Sequence, residues 1–86
     1  MPMTWKVYIL QCADNTLYTG ITTDIERRVE EHNSDNRKGA RYTRVRRPVS
    51  LVYQEDHKNR ALASAREYQL KKLPRTKKLK LVLNQP

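Results

Sequence analysis

The 86 residues carry 18 Lys and Arg against 9 Asp and Glu, a formal charge of +9 with a pI near 10.1, which suits one compact domain over residues 1–86 and a polyanionic partner. No apolar run is long enough for a membrane span and no secretory leader is visible, so a cytoplasmic protein with no membrane partner is expected. Cys12, the one cysteine, allows no internal disulfide, has no Cys or His at metal-ligand spacing, and reads as a buried strand residue.

Residues 5–11 mix β-branched and aromatic types, and Ala13-Asp14-Asn15-Thr16 carries turn chemistry, which together predict a hairpin with strands near 5–11 and 16–20. Tyr8 and Tyr18 then lie on neighbouring strands, and Gly20 closes the second. Thr23-Asp24-Ile25-Glu26 has the form of a capping box with Thr23 as cap, opening a helix over about 24–33. Ile25 and Val29 mark its buried stripe, and Arg28 and His32 fall within the same arc, so the helix carries a cation and an imidazole along its apolar edge. After Asn33 the chain turns polar and basic around Gly39, predicting a loop of nearly a dozen residues, a kind that often touches a ligand. Pro48 introduces a strand at 49–53. Residues 59–73 read as a helix ended by Pro74, with Leu62, Ala65, Leu70 and Leu73 toward the core. In 75–83, Leu79, Leu81 and Leu83 alternate as in a strand while Leu79, Val82 and Leu83 also fit a helix; a helix after Pro74 is favoured.

The positive charge is clustered. Arg37, Lys38, Arg41, Arg44, Arg46 and Arg47 have no acid among them, and Lys71, Lys72, Arg75, Lys77, Lys78 and Lys80 have no downstream carboxylate. Such runs are either solvated faces or phosphate-binding surfaces, and two of them in so short a chain favour phosphate. The candidate nucleic-acid contacts are Lys38, Arg41, Tyr42, Arg44, Arg46, Arg47 and Lys71, with Tyr42 either stacking on a base or anchoring the loop. Ser34, Ser50 and Ser64 lack a nucleophile-elbow context, two glycines are too few for a phosphate loop, and His32 and His57 lack zinc-site spacing.

The order Val7-Tyr8, Tyr18-Thr19-Gly20, Arg28-Val29-Glu30-Glu31-His32, then Ala63, Glu67 and Leu70-Lys71, resembles the GIY-YIG nuclease superfamily over most of residues 5–75. Leu-Tyr-Thr-Gly-Ile-Thr-Thr-Asp, Gly-Ala-Arg-Tyr-Thr-Arg and Arg-Arg-Pro-Val-Ser-Leu-Val-Tyr resemble its small stand-alone bacterial members. Lys6 stands where the first half-motif has glycine, Thr19 where the second has isoleucine, and Pro74 is followed by Arg75-Thr76-Lys77 rather than by an asparagine. The resemblance implies an α/β (α+β) domain: a three-stranded antiparallel sheet flanked by helices. It also implies a catalytic set of Tyr8, Tyr18, Arg28, His32 and Glu67, with Glu67 holding a divalent metal, Mg²⁺ or Mn²⁺, for hydrolysis of DNA phosphodiesters in repair or recombination. In that scheme Tyr8 is the general base and needs Arg28, lysines or the metal nearby to lower its pKa; Tyr18 orients water or phosphate, Arg28 stabilises charge and His32 assists by hydrogen bonding. Read without the likeness, the tyrosines are half-buried sheet aromatics and the charges a helix surface, and a non-catalytic nucleic-acid-binding module is the alternative.

Overall fold

The computed structural model describes residues 4–84. Strands β1 (Trp5–Gln11), β2 (Leu17–Thr22) and β3 (Ser50–His57) form one antiparallel sheet in the order β2-β1-β3. β1 is central, and Val7 to Leu10 are buried on both of its faces, which explains its continuous apolar run. The β1–β2 turn is fixed by Asp14, whose Oδ1 accepts from the Thr16 backbone N–H (3.1 Å) and hydroxyl (2.6 Å), while Asn15 takes a φ of 66°. The register sets Tyr8 opposite Gly20 and Leu10 opposite Tyr18, so both tyrosines lie on one face as diagonal neighbours.

Helix α1 (Ile25–Ser34) covers that face. Its cap is Asp24 rather than Thr23: the Asp24 carboxylate accepts from Arg27 N (3.1 Å), and the Asp24 amide is itself held by the Thr22 hydroxyl (3.1 Å). A carboxylate also complements the positive end of the helix, which favours the one-residue shift. Here Tyr8, Leu10, Cys12 and Val49 form a buried cluster joined by Tyr18, Ile25, Val29 and Leu51. On the other face Val7 packs with Ala63 and Leu70 of α3 (Arg60–Lys72), and Trp5, Ile21, Tyr53, Leu73 and Leu81 surround them, the last from α4 (Arg75–Leu83). Burying each large apolar side chain of these layers stabilises the fold by about 1.5–3 kcal/mol.

Three further expectations are corrected. The core stripe of α3 runs through Ala63 and Leu70, with Leu73 half-buried, while Leu62 is 48% exposed and Ala65 is also exposed. A small residue is needed where the helix lies directly on β1. The basic loop contains a short helix, α2 (Arg41–Arg44). β3 continues to His57, because its polar end is paired: Lys6 Nζ meets Asp56 across the register (2.6 Å), and Glu55 accepts from Tyr53 and from Arg66 Nε (2.7 Å). Among the described residues no helix is long and apolar enough to cross a membrane.

Candidate active site

Tyr8 reaches from β1 across Gly20 of β2. A Cβ on Gly20 would lie 2.6 Å from Tyr8 Cζ and nearer still to its hydroxyl, so this position must be glycine for the ring to lie where it does. The hydroxyl meets His32 Nε2 of α1 at 2.8 Å. His32 Nδ1 in turn lies 2.8 Å from Thr43 Oγ1 and 3.3 Å from the Ala40 amide nitrogen, while the Thr43 hydroxyl is 2.9 Å from the Ala40 carbonyl. His32 and Thr43 are fully buried, and Tyr8 keeps 1% of its surface exposed. Tyr18 stands edge-on to the imidazole, ring centroids 5.2 Å apart, and Tyr8 does the same at 5.9 Å. The imidazole is thus held by both tyrosines and by the loop.

Burial pushes the Tyr8 phenol up to about 12; the neighbouring Arg28 guanidinium opposes this, and Tyr18 and Glu67 add to it. The Arg28 that a basic Tyr8 requires is thus beside the phenol, but in the protein by itself desolvation outweighs the one arginine. His32 is driven down to about 4 by burial and then by the charges of Arg28 and Arg47, so the imidazole is neutral at pH 7. Arg28 is fixed by Glu31 Oε1 (3.1 Å) and by the Lys38 carbonyl (2.5 Å).

Glu67 approaches from α3. On that helix Arg66 and Glu67 flank the buried line of Ala63 and Leu70 on opposite sides; Arg66 reaches Glu55 on β3, which turns Glu67 toward β2, the strand of Tyr18. Its carboxylate pairs with Lys71 at 3.5 Å, and its charge reaches Tyr8. No trio of His, Cys, Asp or Glu gathers as a metal cage among the described residues. A lone, partly buried carboxylate nevertheless fits Mg²⁺, which keeps several waters and takes its remaining ligands from substrate phosphate.

The basic loop is built by its own arginines. Arg47 donates to the His32 carbonyl (2.6 Å), the Asp35 carbonyl (3.1 Å) and Asn36 Oδ1 (3.0 Å), closing the C-terminal end of α1. Arg44 donates to the Asn36 carbonyl (2.8 Å), and Arg46 binds Asp14 (3.1 Å) and the Tyr42 carbonyl (2.9 Å) while lying 3.9 Å over the Tyr42 ring. Tyr42 is stacked on Tyr18 (5.9 Å, 23°), so it anchors the loop to the site instead of standing free for a base. Arg47 likewise serves as a helix cap and not as a free phosphate contact. Lys38 and Arg41 keep exposed side chains on this surface, with Arg44 beside them.

Residues 4–80 match the GIY-YIG catalytic domain. The chain belongs to the GIY-YIG family. It is 64% identical over 78 residues to a UPF0213 protein of Desulfotalea psychrophila, which covers 91% of this chain and 70% of the relative. To a UPF0213 protein of Staphylococcus haemolyticus it is 51% identical over 76 residues, 88% of this chain and 90% of the relative. The solution NMR structure of a UPF0213 protein from Bacillus halodurans superposes with a TM-score of 0.58 at 45% identity, covering 93% of this chain and 83% of that one. That of a protein from E. faecalis gives 0.59 at 40% identity over 87% and 78%. In this GIY-YIG chain the two half-motifs are the paired segments that set Tyr8 over Gly20. Thr43 and the Ala40 amide were not among the expected site groups; their signal lies in Gly-Ala-Arg-Tyr-Thr-Arg, where a threonine stands among the charges.

Proposed function

We propose that this chain is a metal-dependent nuclease that hydrolyses phosphodiester bonds in nucleic acid, DNA first, with repair or recombination as its setting. The observation that carries the reading is the buried Tyr8–His32 contact (2.8 Å) with Tyr18 and Arg28 against it, in a GIY-YIG chain whose Glu67 acts on the same phenol. Phosphodiester hydrolysis needs a group to take the water proton, a fixed positive charge for the phosphoryl oxygens and help for the leaving oxygen. Arg28, held by Glu31 and the Lys38 carbonyl, provides the fixed charge with no rearrangement. Tyr8 is a phenol in the resting protein and takes the water proton as its phenolate, which Arg28 supports. Tyr18 orients water or phosphate from the neighbouring strand. Glu67 would hold the divalent ion, Mg²⁺ or Mn²⁺, which when bound supplies charge to the phosphoryl and leaving oxygens. Lys38, Arg41, Arg44 and Lys71 provide sequence-blind phosphate contacts.

The test is cleavage of supercoiled, single-stranded, flapped and branched DNA, with Mg²⁺ or Mn²⁺, by the wild type, Glu67→Ala and Tyr8→Phe. Metal-dependent cutting that is lost in both variants supports the reading. Equal activity in all three removes these residue roles. Tight, salt-sensitive binding without cutting makes the protein a nucleic-acid-binding module.

A further inference from the structure

We infer that Thr43 and the Ala40 backbone amide lock His32 in its Nε2–H tautomer, so that Tyr8 accepts the hydrogen bond between them and does not donate it. Tautomers are read from the hydrogen-bond network, and here one member of the network has no choice of role. The Ala40 N–H can only donate, and it is aimed at Nδ1 at 3.3 Å. A proton on Nδ1 would meet that N–H head-on. Nδ1 therefore presents its lone pair to the Ala40 N–H, and the Thr43 hydroxyl, 2.8 Å from Nδ1 and 2.9 Å from the Ala40 carbonyl, turns its single proton to Nδ1 and gives up the carbonyl as acceptor. The neutral ring then has its proton on Nε2, directed at Tyr8 Oη 2.8 Å away. Burial of the ring and the nearby positive charges of Arg28 and Arg47 keep it neutral, which agrees with this arrangement.

The consequence rests on the nuclease reading. With Nε2–H donating, the Tyr8 proton is directed away from His32, and the oxygen left when it departs faces two donors, His32 and Arg28. The proton balance is simple: Tyr8 loses its own proton to solvent, gains one from the attacking water, and His32 changes charge at neither step. Thr43 touches no substrate and acts only through His32, which makes it a positioning residue. It belongs to α2, whose Arg41 and Arg44 are exposed while Thr43 is fully buried, so one short helix carries both the outward cations and the hydroxyl that fixes the imidazole.

Long-range ¹H–¹⁵N correlation spectra of the metal-free, ¹⁵N-labelled protein near pH 7 test this, with His57→Gln to assign the two rings. His32 should show an unprotonated Nδ1 and a protonated Nε2. In Thr43→Val the two ¹⁵N signals should move toward each other as the tautomers mix, and Thr43→Ser should restore them, with the backbone amide spectrum confirming that each variant is folded. A proton on Nδ1 in the wild type overturns the inference, and so does a Thr43→Val spectrum identical to the wild type. In a cleavage assay Thr43→Val should lower kcat with KM unchanged, and Thr43→Ser should recover it. Because the tautomer is observed without turnover, a chain that shows Nε2–H and cuts nothing sinks the nuclease reading alone, whereas one that cuts with Nδ1–H sinks the tautomer alone.

Discussion

Gly20→Ala adds one methyl group at the place where the Tyr8 ring crosses β2. Carbon atoms in contact normally lie about 3.5–4.0 Å apart, whereas the new Cβ would stand 2.6 Å from Tyr8 Cζ. The ring must therefore retreat by roughly 1 Å, and at 1% exposure it has nowhere open to go. Overpacking of this kind costs about 1–3 kcal/mol, and breaking the Tyr8–His32 hydrogen bond adds about 1 kcal/mol. Replacing glycine in a strand returns about 0.5–1 kcal/mol by restricting the unfolded chain. The net loss is about 1–3 kcal/mol, a fall in Tm of roughly 5–20 °C for a domain of this size. Thermal melts of wild type, Gly20→Ala, Tyr8→Phe and the double variant measure it as a cycle. Tyr8→Phe removes the atom closest to the new methyl, so Gly20→Ala should cost clearly less in that background. Melts within a degree or two of wild type, or the same cost in both backgrounds, would refute the close-approach reasoning.

Three further outcomes follow from the same structure. His32 titrates at about 4 in the fold against an ordinary 6.5, so the unfolded chain takes up the proton first; the stability held by neutral His32 is complete above about pH 6.5 and is lost as pH falls toward 4. That amounts to about 3 kcal/mol at 1.36 per unit, and urea unfolding between pH 7 and 4.5 should show a steeper loss in wild type than in His32→Gln; parallel curves contradict it. Thr19 Oγ1 is buried with no hydrogen-bond partner among the described residues, so Thr19→Val, of nearly the same shape, should stabilise the protein by about 1 kcal/mol and raise Tm by roughly 4–8 °C, and a lower Tm would show that the hydroxyl has a partner. Arg47→Ala should cost about 1–3 kcal/mol and speed amide exchange at the end of α1, while the exposed Arg37→Ala should stay within about 0.5 kcal/mol; equal effects would deny Arg47 its capping role.

Elements set by local pattern were legible in the sequence. The hairpin, α1 and α3 lie within a few residues of their expected bounds because β-branched runs, turn residues, caps and Pro74 act over a few neighbours. What depends on distant partners was not. The polar half of β3 is held by its ladder with β1 and by Lys6 and Arg66, which come to it from other elements. Periodicity points the larger Leu62 to the core and passes over Ala63, because it cannot show that α3 lies too close to β1 for a leucine. The candidate residues Tyr8, Tyr18, Arg28 and His32 stand out by order and spacing, and the fold brings them together. The arginine beside Tyr8 is visible in the sequence, whereas the depth of burial that raises the phenol is not. The loop arginines were read as charges, whereas the guanidinium is equally a fork of hydrogen-bond donors.

Arg28, Arg44, Arg46 and Arg47 each hold a backbone carbonyl, so the loop that faces solvent is tied down by its own side chains. A carbonyl bears no net charge for mobile ions to screen, so raising ionic strength should strip a polyanion from this surface while leaving the loop in place. A strand bound there as proposed would meet a backbone already shaped in folding, and the side-chain entropy still to be lost, about 0.5–1.5 kcal/mol for each one immobilised, would fall on exposed cations such as Lys38 and Arg41.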